Sequence, residues 1–126
     1  MLPYKHSRFD EEIREAMLYY NANNEEKFTL IDAHILSLIH SYAYNDKPFF
    51  ASNRYLADKC LTTQPTVQKS INKLIAHGLV TKHITCIKGQ KQRILTYNET
   101  AVNSFKLWAA PQSIENVNED ENWIIA

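Results

Sequence analysis

Residues 62–78 constrain the fold more than any other part of the chain, because their apolar side chains recur at helical spacing. Val67, Ile71 and Leu74 lie on one side of the α-helix that this spacing predicts, and Ile75 lies beside them. The opposite side is polar and basic and carries no acidic residue. A short helix with these two sides has the size and polarity to lie in the major groove of DNA.

The ends of this predicted helix carry residues that suit helix ends. Thr63 precedes it with a hydroxyl that accepts a hydrogen bond from the first turn. Pro65 is tolerated in that turn, where its missing N–H has no helical partner. Gly78 follows the last turn, where chains often leave a helix with a positive φ. These signals set the helix boundaries independently of the apolar spacing.

Charge is distributed unevenly along the chain, although its 14 basic and 14 acidic residues cancel. Half of the basic residues lie within residues 59–98, where no Asp or Glu occurs. Such a stripe is typical of a nucleic-acid surface. The alternative is a solvated face that happens to lack acids, but the stripe coincides with a helix and hairpin pattern. The basic residues of this segment are Lys59, Lys69, Lys73, Lys82, Lys88, Lys91 and Arg93.

The N-terminal part of the chain predicts one acidic, amphipathic helix. Ser7 opens an S-x-x-D start signal, and apolar residues then recur at helical spacing over about residues 8–20. We expect an irregular arm at residues 1–6 before this helix and a loop at residues 21–26 after it. Because the helix and its surroundings are acidic, we expect it to face away from DNA.

A second helix is predicted at residues 30–44, where it forms the centre of the core. Thr29 and Asp32 have the spacing of a capping signal just before its first apolar residue. Apolar side chains then cover more than one side of the helix. A helix of this kind is buried between other layers of the domain.

The next segment predicts a helix-turn-helix. Residues 49–51 favour a brief strand, Ser52 is a suitable N-cap, and residues 53–60 favour a short helix. A turn at residues 61–63 leads directly into the helix described first. Two short helices joined by about three residues form a helix-turn-helix, and Ala57 is small enough for them to cross closely.

A β-hairpin and a final helix follow. Residues 80–87 and 92–97 favour strands, joined by a basic turn at residues 88–91 that contains glycine. Asn98 is a suitable N-cap for a last helix, which Pro111 is expected to stop.

The fold class that follows is mainly α with a small β-hairpin (α+β), a winged helix-turn-helix. We divide the chain into an N-terminal arm and helix at residues 1–28, a winged helix-turn-helix domain at residues 29–110, and an acidic, mobile tail at residues 111–126. A chain of 126 residues is large enough for one such core and too small for two.

A resemblance to a known family covers at most residues 30–97. The helix-turn-helix domain common in bacterial plasmid and phage replication-initiation proteins, including the DnaD-like group, is similar to the stretch FFASNRYLADKCLTTQPTVQKSINKLIAHGLV. The resemblance implies a winged helix that binds DNA, with a role in replication initiation or, since transcriptional regulators share the pattern, in transcription. The matching positions are Ser52, Leu56, Ala57, Thr66, Val67, Ile71, Leu74, Gly78, Leu79 and Val80.

The chain departs from that family at the first turn of its second helix. The family often carries Arg there, whereas this chain has Gln64 and Pro65. Guanine readout by a bidentate Arg is therefore not available at these positions. The amides of Gln64, Gln68 and Asn72 instead suit adenine edges and predict a preference for A·T-rich sites. The alternative is a polar helix surface without base contacts.

Hydroxyl and basic side chains complete the expected interface. Thr63 and Thr66 suit phosphates or a thymine methyl group, and Lys69 and Lys73 are expected to contact the phosphate backbone. The hairpin offers phosphate or minor-groove contacts, unless its charges serve only solubility. The residues from which we expect DNA contacts are Ser52, Arg54, Thr63, Gln64, Thr66, Gln68, Lys69, Asn72, Lys73, Lys88, Gln90, Lys91 and Arg93.

Other function classes find little support in the sequence. The 5 His and 2 Cys are scattered and form no zinc-ligand pattern, so we expect neither a metal nor a cofactor. The 2 Gly provide no glycine-rich phosphate loop. A carboxylate cluster lies near the start of the first helix, where the helix dipole favours it. This cluster consists of Asp10, Glu11, Glu12 and Glu15. We therefore do not expect an enzyme.

The expected location is the cytoplasm. Cys60 and Cys86 form no C-x-x-C pair, and two unpaired thiols fit a reducing compartment. The N-terminus lacks the apolar region of a secretory signal, and no apolar run is long enough to span a membrane.

Sequence-specific binding to double-stranded DNA is the predicted function, in replication initiation on a plasmid or phage or in transcriptional control of such an element. The alternative is a protein-interaction module that has lost DNA binding, against which the acid-free stretch argues. We expect a homodimer on repeated half-sites, formed through the terminal helices at residues 9–20 and 102–108 and leaving both basic faces free.

Overall fold

The computed structural model describes the backbone of residues 3–115 and the side chains of residues 9–108. The described chain is a winged helix-turn-helix, in which α2 supports the pair α3 and α4 and a β-hairpin follows directly. The elements in order are α1 (Pro3–Asn23), α2 (Leu30–Tyr44), α3 (Asn53–Cys60), α4 (Gln64–Ala76), β1 (Val80–Ile87), β2 (Gln90–Tyr97) and α5 (Glu99–Glu115).

The α2 helix is the central helix, as its two-sided apolar pattern predicts. Thr29 and Asp32 form a complete capping box, each side chain accepting from the other residue's backbone N–H. Ile35, Leu36 and Ile39 are fully buried, and α2 packs against α1, α3, α4 and β2. Burial of a large aliphatic side chain contributes about 1.5–3 kcal/mol, so these residues anchor the domain.

The pair α3 and α4 has the predicted boundaries and caps. Ser52 accepts from the Tyr55 N–H at 3.1 Å, and Thr63 accepts from the Thr66 N–H at 3.4 Å. Leu61 ends α3 in the left-handed conformation, which turns the chain sharply into α4. Ala57 is buried in the crossing of the two helices.

The strand predicted at residues 49–51 is reduced to a single bridge. Phe49 pairs with Leu95 of β2, and its carbonyl accepts from the Leu95 N–H at 3.1 Å. Both side chains are buried. This bridge ties the base of the hairpin to the start of the helix-turn-helix, so the hairpin is fixed relative to α3.

The hairpin turn is shorter than the four residues predicted from sequence. The strands pair from Val80 with Tyr97 to Ile87 with Gln90, which leaves a loop of Lys88 and Gly89. Both have a positive φ, of 54° and 81°, as a two-residue type I′ turn requires. Such a turn matches the twist of the strands, which explains why pairing continues past the predicted loop.

Both terminal helices are longer than predicted. The irregular arm predicted at residues 1–6 is wrong for residues 3–6, because α1 begins at Pro3, a residue suited to a first helical turn. Ser7 thus lies inside the helix. Pro111 does not stop α5, which continues to Glu115, since proline removes one helical hydrogen bond without always ending the helix. The tail predicted at residues 111–126 is helical up to residue 115, and the rest lies outside the described residues.

The terminal helices pack on each other, and α1 also packs on α2. Phe9, Ile13, Met17 and Val102 are buried in the core of this one chain. The expectation that these apolar side chains are available for a dimer contact is therefore wrong. Among the described side chains of α5, the large apolar ones that are exposed are Leu107 and Trp108.

Candidate nucleic-acid interface

One side of α4 faces the core and the other faces solvent. Val67, Ile71 and Leu74 are buried, as the sequence pattern predicts. The outward residues of α4 line a shallow, open depression on the protein surface, which brings most of the predicted groove contacts of this helix onto one face. They are Pro65, Thr66, Gln68, Lys69 and Asn72.

A chain of hydrogen bonds joins this face of α4 to the start of α3 and to the hairpin. Arg93 Nη1 donates to Asn53 Oδ1 at 2.7 Å, and its Nη2 donates to the Ala51 carbonyl at 2.8 Å. Asn53 Nδ2 donates to Gln68 Oε1 at 2.8 Å. Gln68 Nε2 then donates to Asn72 Oδ1 at 2.9 Å. We call Arg93, Asn53, Gln68 and Asn72 the amide chain.

Arg93 is therefore held by the protein and does not project freely from the hairpin. It is half-buried, and this burial lowers the pKa of its guanidinium from the usual value. Its two bonds to Asn53 and Ala51 fix the base of the hairpin against α3. Arg93 therefore has a structural role in addition to its predicted contact with the DNA backbone.

Asn53 belongs to this site although sequence reasoning did not select it. In the sequence, Asn53 stands out only as the first residue after the N-cap Ser52. Its partners Gln68 and Arg93 lie 15 and 40 positions away in the chain. Helical periodicity and local capping rules report neighbours within about one turn, so neither rule reveals contacts of this separation.

Lys73 differs from the other basic residues of α4, because its charge is paired inside the protein. Its Nζ lies 2.8 Å from Asp32 Oδ2 and 2.8 Å from the Lys27 carbonyl. Ser70 donates to the other oxygen of Asp32, which is only 1 % exposed. Lys73 was expected to contact DNA phosphates, but here it links α4 to α2, so we leave it out of the proposed interface. We call Asp32, Ser70 and Lys73 the polar staple.

The tip of the hairpin presents basic side chains at a cost in backbone strain. Lys88 adopts a φ of 54°, a region that Gly and Asn tolerate better than Lys. Gln90 and Lys91 follow it and are exposed. Strained backbone positions cluster at binding sites, so a cation at this one supports a binding role for the tip.

The remaining predicted contacts surround this surface. Ser52 caps α3, and Arg54 in the first turn of α3 is exposed. Thr63 and Gln64 at the start of α4 are exposed as well. The structure thus places the predicted residues at the starts of two adjacent helices, along the outward face of α4 and on the hairpin. Two of them are held by the protein itself, Lys73 by Asp32 and Arg93 by Asn53 and Ala51.

Within residues 9–108, no three His, Cys, Asp or Glu side chains are grouped so that they would hold a metal ion. Cys60 and Cys86 are free thiols, and burial raises the pKa of Cys60. In the described part of the chain, no helix is both long and apolar enough to cross a membrane.

Comparison with known families supports the helix-turn-helix. The family described as "Helix-turn-helix domain" matches residues 30–80, which hold α2, α3, α4 and the first residue of β1. The narrower resemblance to replication-initiation proteins stays a prediction. No curated protein sequence matches the chain.

Solved structures with a similar arrangement are distant in sequence. Lactococcus lactis ZitR, solved in complex with DNA, is 17% identical, with 82% of this chain and 72% of that chain covered and a TM-score of 0.44. MepR, a transcription regulator of the Staphylococcus aureus multidrug efflux pump MepA, is 16% identical, with 99% and 90% covered and a TM-score of 0.49. S. aureus MepR bound to ethidium bromide is 14% identical, with 99% and 89% covered and a TM-score of 0.45.

Proposed function

We propose that this protein binds double-stranded DNA sequence-specifically, with α4 in the major groove and the hairpin on the flanking backbone. The observation that carries this proposal is the outward surface of α4 and the hairpin, on which Lys69, Lys88 and Lys91 are exposed. The segment that forms this surface, residues 59–98, contains no Asp or Glu. Cations on such a surface are attracted to phosphates and release counterions on binding.

Within this mode, the amides read bases and the cations position the protein. Gln68 and Asn72 lie near the middle of the outward face of α4, where they suit the edges of adenine in an A·T-rich site. Lys69, Lys88 and Lys91 contact phosphates and carry no sequence information. Thr66, in the first turn of α4, contacts a phosphate or a thymine methyl group.

Fluorescence anisotropy with a labelled duplex of random sequence tests the electrostatic part. The double variant Lys69→Ala/Lys91→Ala should bind at least tenfold more weakly at about 100 mM salt, since two phosphate contacts are lost. The matched control Arg14→Ala/Lys106→Ala removes the same charge from the terminal helices and should bind like the unmodified protein. Equal losses in both variants, or no binding by the unmodified protein, would contradict the proposal.

The dimer remains part of this proposal, with its contact placed on α5. Leu107 is 68% exposed and Trp108 is 42% exposed, and the Trp108 ring lies 5.2 Å from Tyr19 of α1. A second copy of this chain would cover these apolar side chains and leave both α4 helices free. Two copies on repeated half-sites would also lengthen the DNA site that is read.

Sedimentation of the protein alone and bound to a double site tests the dimer. Leu107→Glu should give a folded monomer with weaker binding to the double site, whereas Ile13→Glu should unfold the chain because Ile13 is fully buried. A monomer at tens of micromolar that also stays monomeric on its DNA would rule the arrangement out.

The biological setting we propose is replication initiation on a plasmid or phage, or transcriptional control of such an element. A footprint on the DNA flanking the protein's own gene separates the two. Protection of repeats within a replication origin favours initiation, and protection over a promoter favours transcription.

A further inference from the structure

We propose that Asn53 is a positioning residue which, anchored by Arg93, fixes the amide orientation of Gln68 and Asn72, so that α4 presents an N–H donor of Asn72 to the base edges. This inference rests on the proposed DNA binding and adds to it the polarity of the groove contact. It also assigns the hairpin a part in base selection, where sequence reasoning gave it only affinity.

The direction of the amide chain follows from the chemistry of its first member. A guanidinium has five N–H donors and no acceptor. Arg93 therefore requires an acceptor from Asn53, and Oδ1 supplies it at 2.7 Å. The Asn53 amide is then oriented, with Nδ2 left to donate towards α4.

Each later member of the chain inherits its orientation from the one before. Asn53 Nδ2 donates to Gln68, which must turn Oε1 towards it, at 2.8 Å. The Nε2 of Gln68 then donates to Asn72 Oδ1, at 2.9 Å. Asn72 is left with Nδ2 at the end of the chain, on an exposed side chain for which the described residues offer no acceptor.

The anchor is rigid because Arg93 is held at two points. Its second nitrogen donates to the Ala51 carbonyl at 2.8 Å, next to Ser52, which caps α3. The amide chain thus links β2 and the start of α3 to α4. Charge-assisted hydrogen bonds are shorter and stronger than neutral ones, so the guanidinium end holds its orientation while the Asn72 end meets the ligand.

An N–H donor selects base edges that offer an acceptor at that point. In the major groove these are N7 of either purine, O6 of guanine and O4 of thymine. Cytosine presents only the N4 donor there, so it pairs badly with the Asn72 end. The substitution Asn53→Asp reverses this rule, since a carboxylate only accepts.

The reversal in Asn53→Asp runs through the same bonds. The carboxylate keeps Arg93 as a partner but forces Gln68 to turn Nε2 towards it. Gln68 Oε1 then accepts from Asn72 Nδ2, and Asn72 Oδ1 becomes the free end. This acceptor favours adenine N6 or cytosine N4, so cytosine, which the N–H donor of the unmodified protein disfavours, should gain at one position of each half-site.

Selection from a duplex pool with a randomised centre tests this. We expect Asn53→Asp to raise the share of cytosine at one position about fivefold or more over that selected by the unmodified protein. Gln90→Glu is the control, because it also replaces an amide by an acid but lies outside the amide chain. It should bind more weakly yet enrich the same bases.

The result that overturns the inference is a share of cytosine at this position that is the same for Asn53→Asp and the unmodified protein. In that case the proposed function stands, since specific binding is still observed. If the unmodified protein enriches nothing, the inference and the proposed function both fail.

A second variant and a measurement without DNA guard against a folding defect in Asn53→Asp. Arg93→Gln removes the donor-only anchor and should weaken base preference at the same position about fivefold, whereas Lys91→Gln should weaken binding to all sequences equally. In the free protein, Asn53→Asp should shift the side-chain NH₂ signals of Gln68 and Asn72 in a ¹⁵N correlation spectrum. NH₂ signals that do not move in Asn53→Asp would also contradict the inference. So would Arg93→Gln and Lys91→Gln variants that have the same effect on base preference.

Discussion

The inward and outward sides of α4 each hold a polar group, but only one of them contains an acid. Towards α2, the polar staple pairs Lys73 with Asp32, which is almost fully buried. Towards the hairpin, the amide chain joins Arg93 to neutral amides and ends at exposed Asn72. The cation of the staple is neutralised inside the fold, whereas the cation of the amide chain keeps its charge near the surface.

This difference shows that a stretch of sequence without acids can still have an acid beside it in the folded protein. Asp32 lies 41 positions before Lys73, and folding brings it against α4 to cancel one of the seven positive charges. The remaining cations of the outward side and the hairpin tip have no such partner among the described residues. Stability should therefore depend on the staple and DNA binding on the outward side.

The largest expected effect is on stability, from Asp32→Ala. This change removes the carboxylate that accepts from Lys73 and Ser70, and with it the N3 member of the capping box. Breaking a buried ion pair by removing one partner costs about 3–5 kcal/mol, measured by urea unfolding. Asp58→Ala, at an exposed position of α3, is the control and should change stability by less than about 0.5 kcal/mol. Similar costs for both would remove the distinction between the two sides.

A second prediction separates the two lysines on α4. Lys73→Ala leaves Asp32 buried with one partner fewer, so it should destabilise the fold by about 1–3 kcal/mol and leave the salt dependence of DNA binding unchanged. Lys69→Ala should do the reverse, with stability unchanged and the log–log salt slope reduced by about 0.9. If Lys73→Ala lowered the slope as much as Lys69→Ala, its charge would be part of the interface after all.

A third prediction concerns sequence preference. Gln68→Ala or Asn72→Ala should narrow the gap between specific and random DNA by about 1–3 kcal/mol, whereas Lys91→Ala should weaken binding to both equally. Arg93 is a hairpin cation like Lys91, but its bond to Asn53 predicts that Arg93→Ala behaves like the amide variants. Competition assays with specific and random duplexes check this, and a uniform loss in Gln68→Ala would contradict groove reading.

The smallest expected effect is at the hairpin tip. Lys88→Asn relieves the strain of a lysine in the left-handed region and should raise stability by about 1 kcal/mol, while DNA binding weakens through the lost charge. Thermal unfolding and anisotropy on the same samples check both signs. A variant that is more stable and binds equally well would mean that the tip does not contact DNA.

The elements predicted best from sequence are those whose signals are local. Thr29, Ser52 and Thr63 mark the starts of α2, α3 and α4 correctly, since each cap bonds to a residue three positions away. The outward face of α4 followed from helical spacing in the same way. The start of α1 and the end of α5 were missed, because a proline in the first or last turns is compatible with both a helix and its end.

Contacts between distant residues could not be predicted. Lys73 and Lys69 both read as basic residues of one helix, and only the approach of α2 separates their roles. The bond between Arg93 and Asn53 likewise joins residues 40 positions apart. Spacing rules describe which residues share a face but not what another element brings to that face.

The central claim is that the outward side of α4 and the hairpin bind DNA through unpaired cations. Its most direct test is the affinity of the whole chain for a labelled duplex between 50 and 200 mM salt. With Lys69, Lys88 and Lys91 on phosphates, the affinity should fall about 40-fold per subunit over this range. An affinity that stays constant across the same range would contradict the account.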